Sequence, residues 1–217
     1  MIKKLQALKA KKGFTLVELI VVIAIIGVLA AILVPTMLGY VTSSRVTSAN
    51  STAASIKNNV DSFLTSCDTA GYGMKQSTNN KEQLTITVTS AGWACTAAAN
   101  PTTNFKGTSK WGTPASAITT NSTKSSLTSA EQLLCFELCQ LFPEVKQAAI
   151  QISMVGGKCV AVAYSADVSS FTSGDYPTIG SDGKFPASYA WDNKTAGVAS
   201  SGIIVGTAPA VALGSGS

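Results

Sequence analysis

The sequence predicts an α+β protein: a long N-terminal helical spine packed on a small antiparallel sheet, with an extra helix and loops. Three observations predict it. Residues 14–34, FTLVELIVVIAIIGVLAAILV, are apolar all round with a single charge, Glu18. Residues 46–67 carry an apolar stripe at spacings of three and four, which is one face of an α-helix. Residues 84–89, LTITVT, alternate with period two, and two short apolar runs flank Gly156-Gly157, as strands and a hairpin turn do.

The N-terminal segment comes first in the chain and constrains the rest. Its 21 residues would span about 30 Å as a helix, the thickness of a bilayer core. Five lysines (Lys3, Lys4, Lys9, Lys11, Lys12) precede it with no acid among them. Beyond Gly13, 16 − 5 = 11 basic residues face all 11 acids, so the remainder is formally neutral. The net charge of +5 therefore belongs to a cytoplasmic leader that orients a membrane segment, and it does not argue for nucleic-acid binding. A secretory signal fits poorly, because its apolar region is usually about 7–15 residues and ends at a small-residue cleavage site. An ordinary anchor or a buried soluble helix leaves Glu18 unexplained, since a carboxylate one turn inside the run costs about 2.5–3.5 kcal/mol on insertion scales.

The junction Lys11-Lys12-Gly13-Phe14-Thr15-Leu16-Val17-Glu18 resembles the class III signal of type IV prepilins, of the type IVa kind. The similarity covers residues 11–40, and no motif extends it beyond about residue 68. In that family a membrane peptidase cuts after the glycine on the cytoplasmic face and N-methylates the new terminus. The resemblance implies cleavage between Gly13 and Phe14, methylation at Phe14, and an assembly role for Glu18, which becomes the fifth residue of the mature chain. It also implies that residues 27–35 lose helical order in a filament, because Gly27 and Pro35 fall where the family has its helix-weakening pair. The chemistry agrees. Cutting removes five lysines, frees the segment for extraction from lipid, and creates an α-amine that Glu18 of a neighbouring copy can pair with. Leaving one partner of such a buried pair alone costs several kcal/mol, so the pairing would enforce register.

The organisation that follows is residues 1–13 as a cleaved basic leader, 14–38 as a membrane and filament-core helix, 39–67 as its amphipathic continuation, and 68–217 as a globular head with a flexible C-terminal tail. The stripe of the continuation is Val46, Ala49, Ala53, Ile56, Val60, Phe63 and Cys67. Ser, Thr and Asn between them are mediocre helix formers, so the stripe needs the head to pack on. The whole spine would be about 80 Å long at the α-helical rise. In the head, residues 84–89 turn at Ser90-Ala91-Gly92 into a strand over 93–96. Residues 113–128 read as a loop, and 201–206 as a last strand before the tail. Ser129-Ala130-Glu131-Gln132 reads as a capping box, starting a helix that Pro143 stops. The pilin fold, which the resemblance implies, is the same α+β arrangement.

Five cysteines, Cys67, Cys95, Cys135, Cys139 and Cys159, are disulfide candidates in an exported head. Two bridges and a leftover can be drawn in five times three ways, and spacing does not choose among them. Glu131, Cys135 and Cys139 share a helix face and could ligate a metal. With no histidine and no Cys-x-x-Cys, stapling of this helix to other elements is the favoured reading, and no metal or cofactor is expected. Trp93, Trp111, Tyr176, Tyr189 and Trp191 could stack on sugars or bases, but such residues more often pack the core. Asn50, Asn121 and Asn193 open glycosylation-type triplets of the sort that chance supplies in a Ser/Thr-rich chain. No nucleotide loop, nucleophile elbow or acid–base pair is present, which leaves an enzyme reading without support. The expected function is a structural pilin subunit serving adhesion, motility or DNA uptake. Its expected partners are copies of itself, the prepilin peptidase, the assembly platform, the cytoplasmic (inner) membrane and a surface ligand or carbohydrate. A minor pilin or pseudopilin of a type II secretion or competence system, and a singly anchored surface protein that keeps its leader, are the alternatives.

Overall fold

The computed structural model describes residues 14–107, 109–172, 174–191 and 195–214. The chain divides into two units, Met1–Thr42 and Ser43–Ser217. One helix, α1 (Leu16–Thr69), runs through the boundary.

In the first unit, the described residues are helical from Leu16 onward and exposed from Phe14 to Val41. Every large apolar side chain from Phe14 to Val41 lies on the surface. By length and composition this part of α1 can cross a membrane. Gly27 and Pro35 do not interrupt the helix in the single chain. Pro35 has no N–H to donate to the carbonyl of Ala31, and the Thr36 hydroxyl donates to the Leu33 carbonyl beside the gap, at 2.9 Å.

In the second unit, α1 buries the stripe Val46, Ala49, Ala53, Ile56, Val60, Phe63 and Cys67, joined by Leu64. Its hydroxyl-bearing residues turn back on their own helix. Thr47, Thr52, Ser55, Thr65, Ser66 and Thr69 each donate to the carbonyl four residues earlier. That satisfies their hydroxyls without a partner from elsewhere.

The stripe packs on a six-stranded sheet, ordered β3 (Ala115–Ile118), β2 (Gly92–Cys95), β1 (Lys81–Thr89), β4 (Ala148–Val155), β5 (Lys158–Ser165) and β7 (Gly206–Ala208), with every neighbouring pair antiparallel. β1 (Lys81–Thr89) alternates so that Leu84, Ile86 and Val88 face the core, and its register sets Leu84 opposite Ile152 and Ile86 opposite Ile150. β2 (Gly92–Cys95) follows through the predicted turn. β4 (Ala148–Val155) and β5 (Lys158–Ser165) form the hairpin, with Gly156 and Gly157 both at positive φ. β4 is buried on both faces. Ala161 and Ala163 of β5 belong to a second cluster with Phe185, Trp191, Ala199, Val205 and Val211, contributed by the segments after β5. The predicted helix is α3 (Ala130–Leu141), which follows the short α2 (Pro101–Asn104). Its capping box is formed as expected: the Gln132 N–H donates to the Ser129 hydroxyl, and the Ser129 N–H donates back to the Gln132 amide oxygen.

Three expectations about the head differ from the structure. Residues 113–128 are not all loop. They hold β3 (Ala115–Ile118) and a single 3-10 turn at Lys124–Ser126. Small side chains, a bulge in the pairing with β2 and Ala117 at φ +53° erase the alternation that would have announced the strand. The last sheet strand is β7 (Gly206–Ala208), not residues 201–206, where a turn and a lone bridge between Val198 and Ile204 stand instead. The segment from Gly206 is also not a free tail up to residue 214. Thr207, Ala208 and Val211 are buried, and β8 (Ala212–Leu213) pairs in parallel with β6 (Ser188–Tyr189).

β7 is held against α1 at backbone contact. The Thr207 N–H donates to the Asn50 side-chain oxygen at 2.7 Å. A Cβ on Gly206 would stand 2.1 Å from the carbonyl carbon and oxygen of Ala49. Gly206→Ala is therefore expected to destabilise the head by at least about 2 kcal/mol, in the upper part of the range for overpacking. A urea titration of the full chain in detergent checks this: the midpoint should fall with the slope unchanged.

Candidate assembly site

The chemistry-bearing feature of the first unit is the start of α1. Thr15 and Glu18 form a complete capping box. The Glu18 N–H donates to the Thr15 hydroxyl oxygen at 3.2 Å. The Glu18 carboxylate accepts the Thr15 N–H at 2.8 Å and the Thr15 hydroxyl at 2.7 Å. The Leu19 N–H to Thr15 carbonyl bond, 3.2 Å, closes the first turn. A helix start leaves its first N–H groups without partners, and this pair satisfies two of them reciprocally. A carboxylate in the first turn also meets the positive end of the helix dipole.

Glu18 thus has a task within its own chain, beside the one expected between chains. The signal for it was in the sequence: Thr15-x-x-Glu18 before an apolar run is the pattern that identified Ser129-x-x-Gln132. The box also sets the helix boundary. Phe14 and Thr15 lie outside the helix. Gly13 falls outside the described residues, as do the five leader lysines.

Glu131, weighed above as a metal ligand and disfavoured, is fully buried and occupied by backbone. One carboxylate oxygen accepts the Ala98 N–H at 3.0 Å and the Gly112 N–H at 2.6 Å. The other has no hydrogen-bond partner among the described residues. The described residues contain no group of three His, Cys, Asp or Glu side chains placed to hold a metal. All five cysteines are buried free thiols in the structure. Burial pushes the Cys67 thiol up to about 12, and burial followed by repulsion from Asp61 pushes Cys159 up as well. The Cys95 thiol donates to the Thr96 carbonyl at 3.3 Å, and neighbouring Cys135, followed by burial, pushes it well up from the ordinary thiol value.

The tryptophans are core residues. Trp111 stacks on Phe105 with ring centroids 4.0 Å apart and donates its indole N–H to the Tyr72 carbonyl at 2.7 Å. Trp93 and Trp191 are buried, and Tyr176 and Tyr189 are half-buried among aromatic neighbours. Asn50 spends its side chain on β7, Asn121 is exposed, and Asn193 lies outside the described residues.

Residues 8–34 match the prokaryotic N-terminal methylation motif. The chain is 37% identical over 89 residues to the fimbrial protein EcpC of Eikenella corrodens, covering 39% of this chain and 58% of that protein. It is 41% identical over 80 residues to the type IV major alpha-pilin of Moraxella bovis, covering 37% and 50%. It is 46% identical over 57 residues to a fimbrial protein of Pseudomonas aeruginosa, covering 26% and 37%. The chain spans about half the length of the first of these curated relatives. No solved structure matches it. The long helix packed on an antiparallel sheet is consistent with the pilin fold.

Thr15→Val removes the hydroxyl from the box, and Thr15→Ser keeps it. Loss of an N-cap costs about 1 kcal/mol, or roughly fivefold in local opening. Amide hydrogen exchange in detergent should therefore speed up about fivefold over residues 16–19 in the valine variant and stay unchanged in the serine variant.

Proposed function

We propose that this chain is the structural subunit of a type IV pilus, made as a prepilin and polymerised through α1 into surface filaments. One observation carries the reading: an exposed, all-round apolar helix begins at Leu16, inside a methylation motif that spans residues 8–34. So much unpartnered apolar surface is unstable in water at about 25 cal/mol per Å². Lipid covers it before assembly, and other copies of the same helix cover it afterwards. The subunit is therefore single-pass in the cytoplasmic membrane and then part of an extracellular filament.

The processing steps follow from the junction. The peptidase cuts between Gly13 and Phe14 and methylates Phe14. The product has lost the leader lysines, so its orientation in the membrane no longer rests on cytoplasmic charge. The assembly platform then draws the helix into the growing bundle. There the Glu18 carboxylate faces the Phe14 amine of a neighbouring copy. In the low dielectric of the bundle an unmatched charge is strongly disfavoured, so subunits settle where the two meet. Residues 27–35 give up helix in the filament, where Gly27 and the missing N–H of Pro35 already weaken it. The function is assembly and not catalysis. Adhesion, motility and DNA uptake are the activities such a filament serves, through the head and any surface ligand or carbohydrate it meets. A specialised minor pilin is the second reading, favoured by the additional α3 helix in the head.

Intact mass of the protein in material sheared from cells tests the reading. Loss of residues 1–13, one added methyl group and high abundance are expected. The same mass at trace level would favour a minor pilin or pseudopilin, and an uncut chain that stays with the membrane would overturn the reading in favour of a simple anchored protein. Glu18→Gln separates the two tasks of that side chain, because glutamine also closes a capping box. The variant should be cut between Gly13 and Phe14 at the normal rate yet yield at least tenfold fewer filaments by electron microscopy.

A further inference from the structure

The head carries a half-open groove of about 900 Å³ between residues 54–69 of α1 and the turn of the β4–β5 hairpin. Leu64, Met74, Val160 and Pro209 supply its apolar part. Lys57, Lys158 and Lys184 line it together with Asp61 and Asp68. Both acids are already matched. Asp61 pairs with Lys57 at 3.0 Å, and Asp68 pairs with Lys106 at 2.7 Å. The ammonium groups of Lys158 and Lys184 have no partner among the described residues, and both side chains are exposed. The groove therefore offers an apolar floor and two unmatched positive charges. No aromatic ring lines it among the described residues, so a sugar or base would find no face to stack on.

A complementary feature stands elsewhere on the same head. The turn from α3 to β4 exposes Leu141, Pro143 and Glu144. Leu141 is 52% exposed, an unusual state for a leucine at the end of a packed helix. Among the described residues, Glu144 has neither an ion pair nor a hydrogen bond, whereas the other exposed acid of the head, Asp182, accepts the Lys184 N–H. The turn is held in shape: the Phe142 N–H donates to the Leu138 carbonyl at 2.9 Å, and the Val145 N–H to the Phe142 carbonyl at 3.2 Å. It enters β4 at Ala148, and the hairpin beside the groove leaves β4 after Val155. Gln147 donates to the Asp167 carbonyl, and Asp167 pairs with Arg45 of α1. The groove instead lies by Asp61, whose carboxylate accepts the Cys159 N–H. Asp61 is 61 − 45 = 16 residues beyond Arg45, about 24 Å along the helix. One chain's turn is therefore too far from its own groove to fill it.

We propose that the groove takes the α3–β4 turn of a second copy of this chain, with Leu141 and Pro143 on the apolar floor and Glu144 between Lys158 and Lys184. The inference rests on the proposed polymerisation and names a head-to-head contact within it. The two surfaces differ, so the contact is heterologous. Each head gives its turn to one neighbour and its groove to another, and the series extends without closing, as a filament requires. Opposite charges guide the turn in and disfavour a shifted register. A turn already held by its own backbone loses little freedom on docking. Lys146, exposed two residues after Glu144, has the same sign as the groove and stays outside the contact.

Carbodiimide treatment of sheared material tests the contact on the unaltered chain, because the reagent joins a carboxylate to an amine that it touches, with loss of water. Peptide mapping by mass spectrometry should find Glu144 coupled to Lys158 or Lys184, and the same chain dispersed in detergent should lack that product. Glu144 left uncoupled, or coupled only to other lysines, would overturn the inference. Charge reversal in cells gives a second measure. Glu144→Lys alone, and Lys158→Glu together with Lys184→Glu, should each lower filament yield at least fivefold, and the chain with all three changes should recover at least half of the normal yield. Losses without recovery would assign the groove to a different anionic occupant and overturn the proposal, as would yields that never fall. Melting in detergent should be unchanged in every variant, since these side chains are exposed. The N-terminal peptide of the sheared material reports processing separately. A cut, methylated terminus with Glu144 uncoupled overturns the contact alone, whereas an uncut chain overturns the pilin reading and the contact with it.

Discussion

The apolar surface of α1 has to be covered, and the rest of the molecule is arranged around how that is done. Over residues 46–67 the apolar positions collect on one face, and the head covers that face with the sheet. Before residue 42 the apolar positions surround the helix, and nothing among the described residues covers them. One helix therefore has two solvents. The change from an all-round pattern to a stripe, visible in the residues themselves, coincides closely with the boundary between the two units at Thr42 and Ser43.

Glu18 belongs to the uncovered part and shows how a polar group survives there. Its carboxylate is not free, because Thr15 occupies it with an N–H and a hydroxyl. A carboxylate held this way is partly compensated before any neighbour arrives, which lessens the cost of carrying it in an apolar medium. The proposed between-chain pairing and the within-chain cap thus draw on the same carboxylate. The two tasks are compatible because a carboxylate has about four lone-pair sites and the cap uses two.

Most of the architecture was readable where periodicity was intact. The stripe on α1, the alternation of β1, the glycine turn of the β4–β5 hairpin and the Ser129 box each follow from a few adjacent residues. What escaped was structure made by distant contacts. β3 is written in Ala, Ser and Ile with no alternation, and it exists because β2 offers an edge. β7 begins at a glycine, a residue that reads locally as an end, whereas here it is the only residue that lets a strand touch the backbone of α1. Glu131 could be weighed as a ligand, against the favoured staple, because carboxylate and thiols shared a face. Its actual partners, the N–H groups of Ala98 and Gly112, lie on loops that no local pattern connects to it. The Thr15 box is the exception, a local signal overshadowed by the stronger motif that contains it.

The contact between β7 and α1 has a mechanical consequence. Gly206 lies against the backbone of Ala49, and the next residue, Thr207, is bonded to the side chain of Asn50. Antiparallel hydrogen bonds join the same three-residue strand to β5. Tension applied to the surface of the head therefore reaches the helix through a narrow backbone latch as well as through side-chain packing, which yields more readily. A filament built from such units would share load among rigid main-chain joints, one per subunit. The strength of each joint would depend on there being no side chain at residue 206.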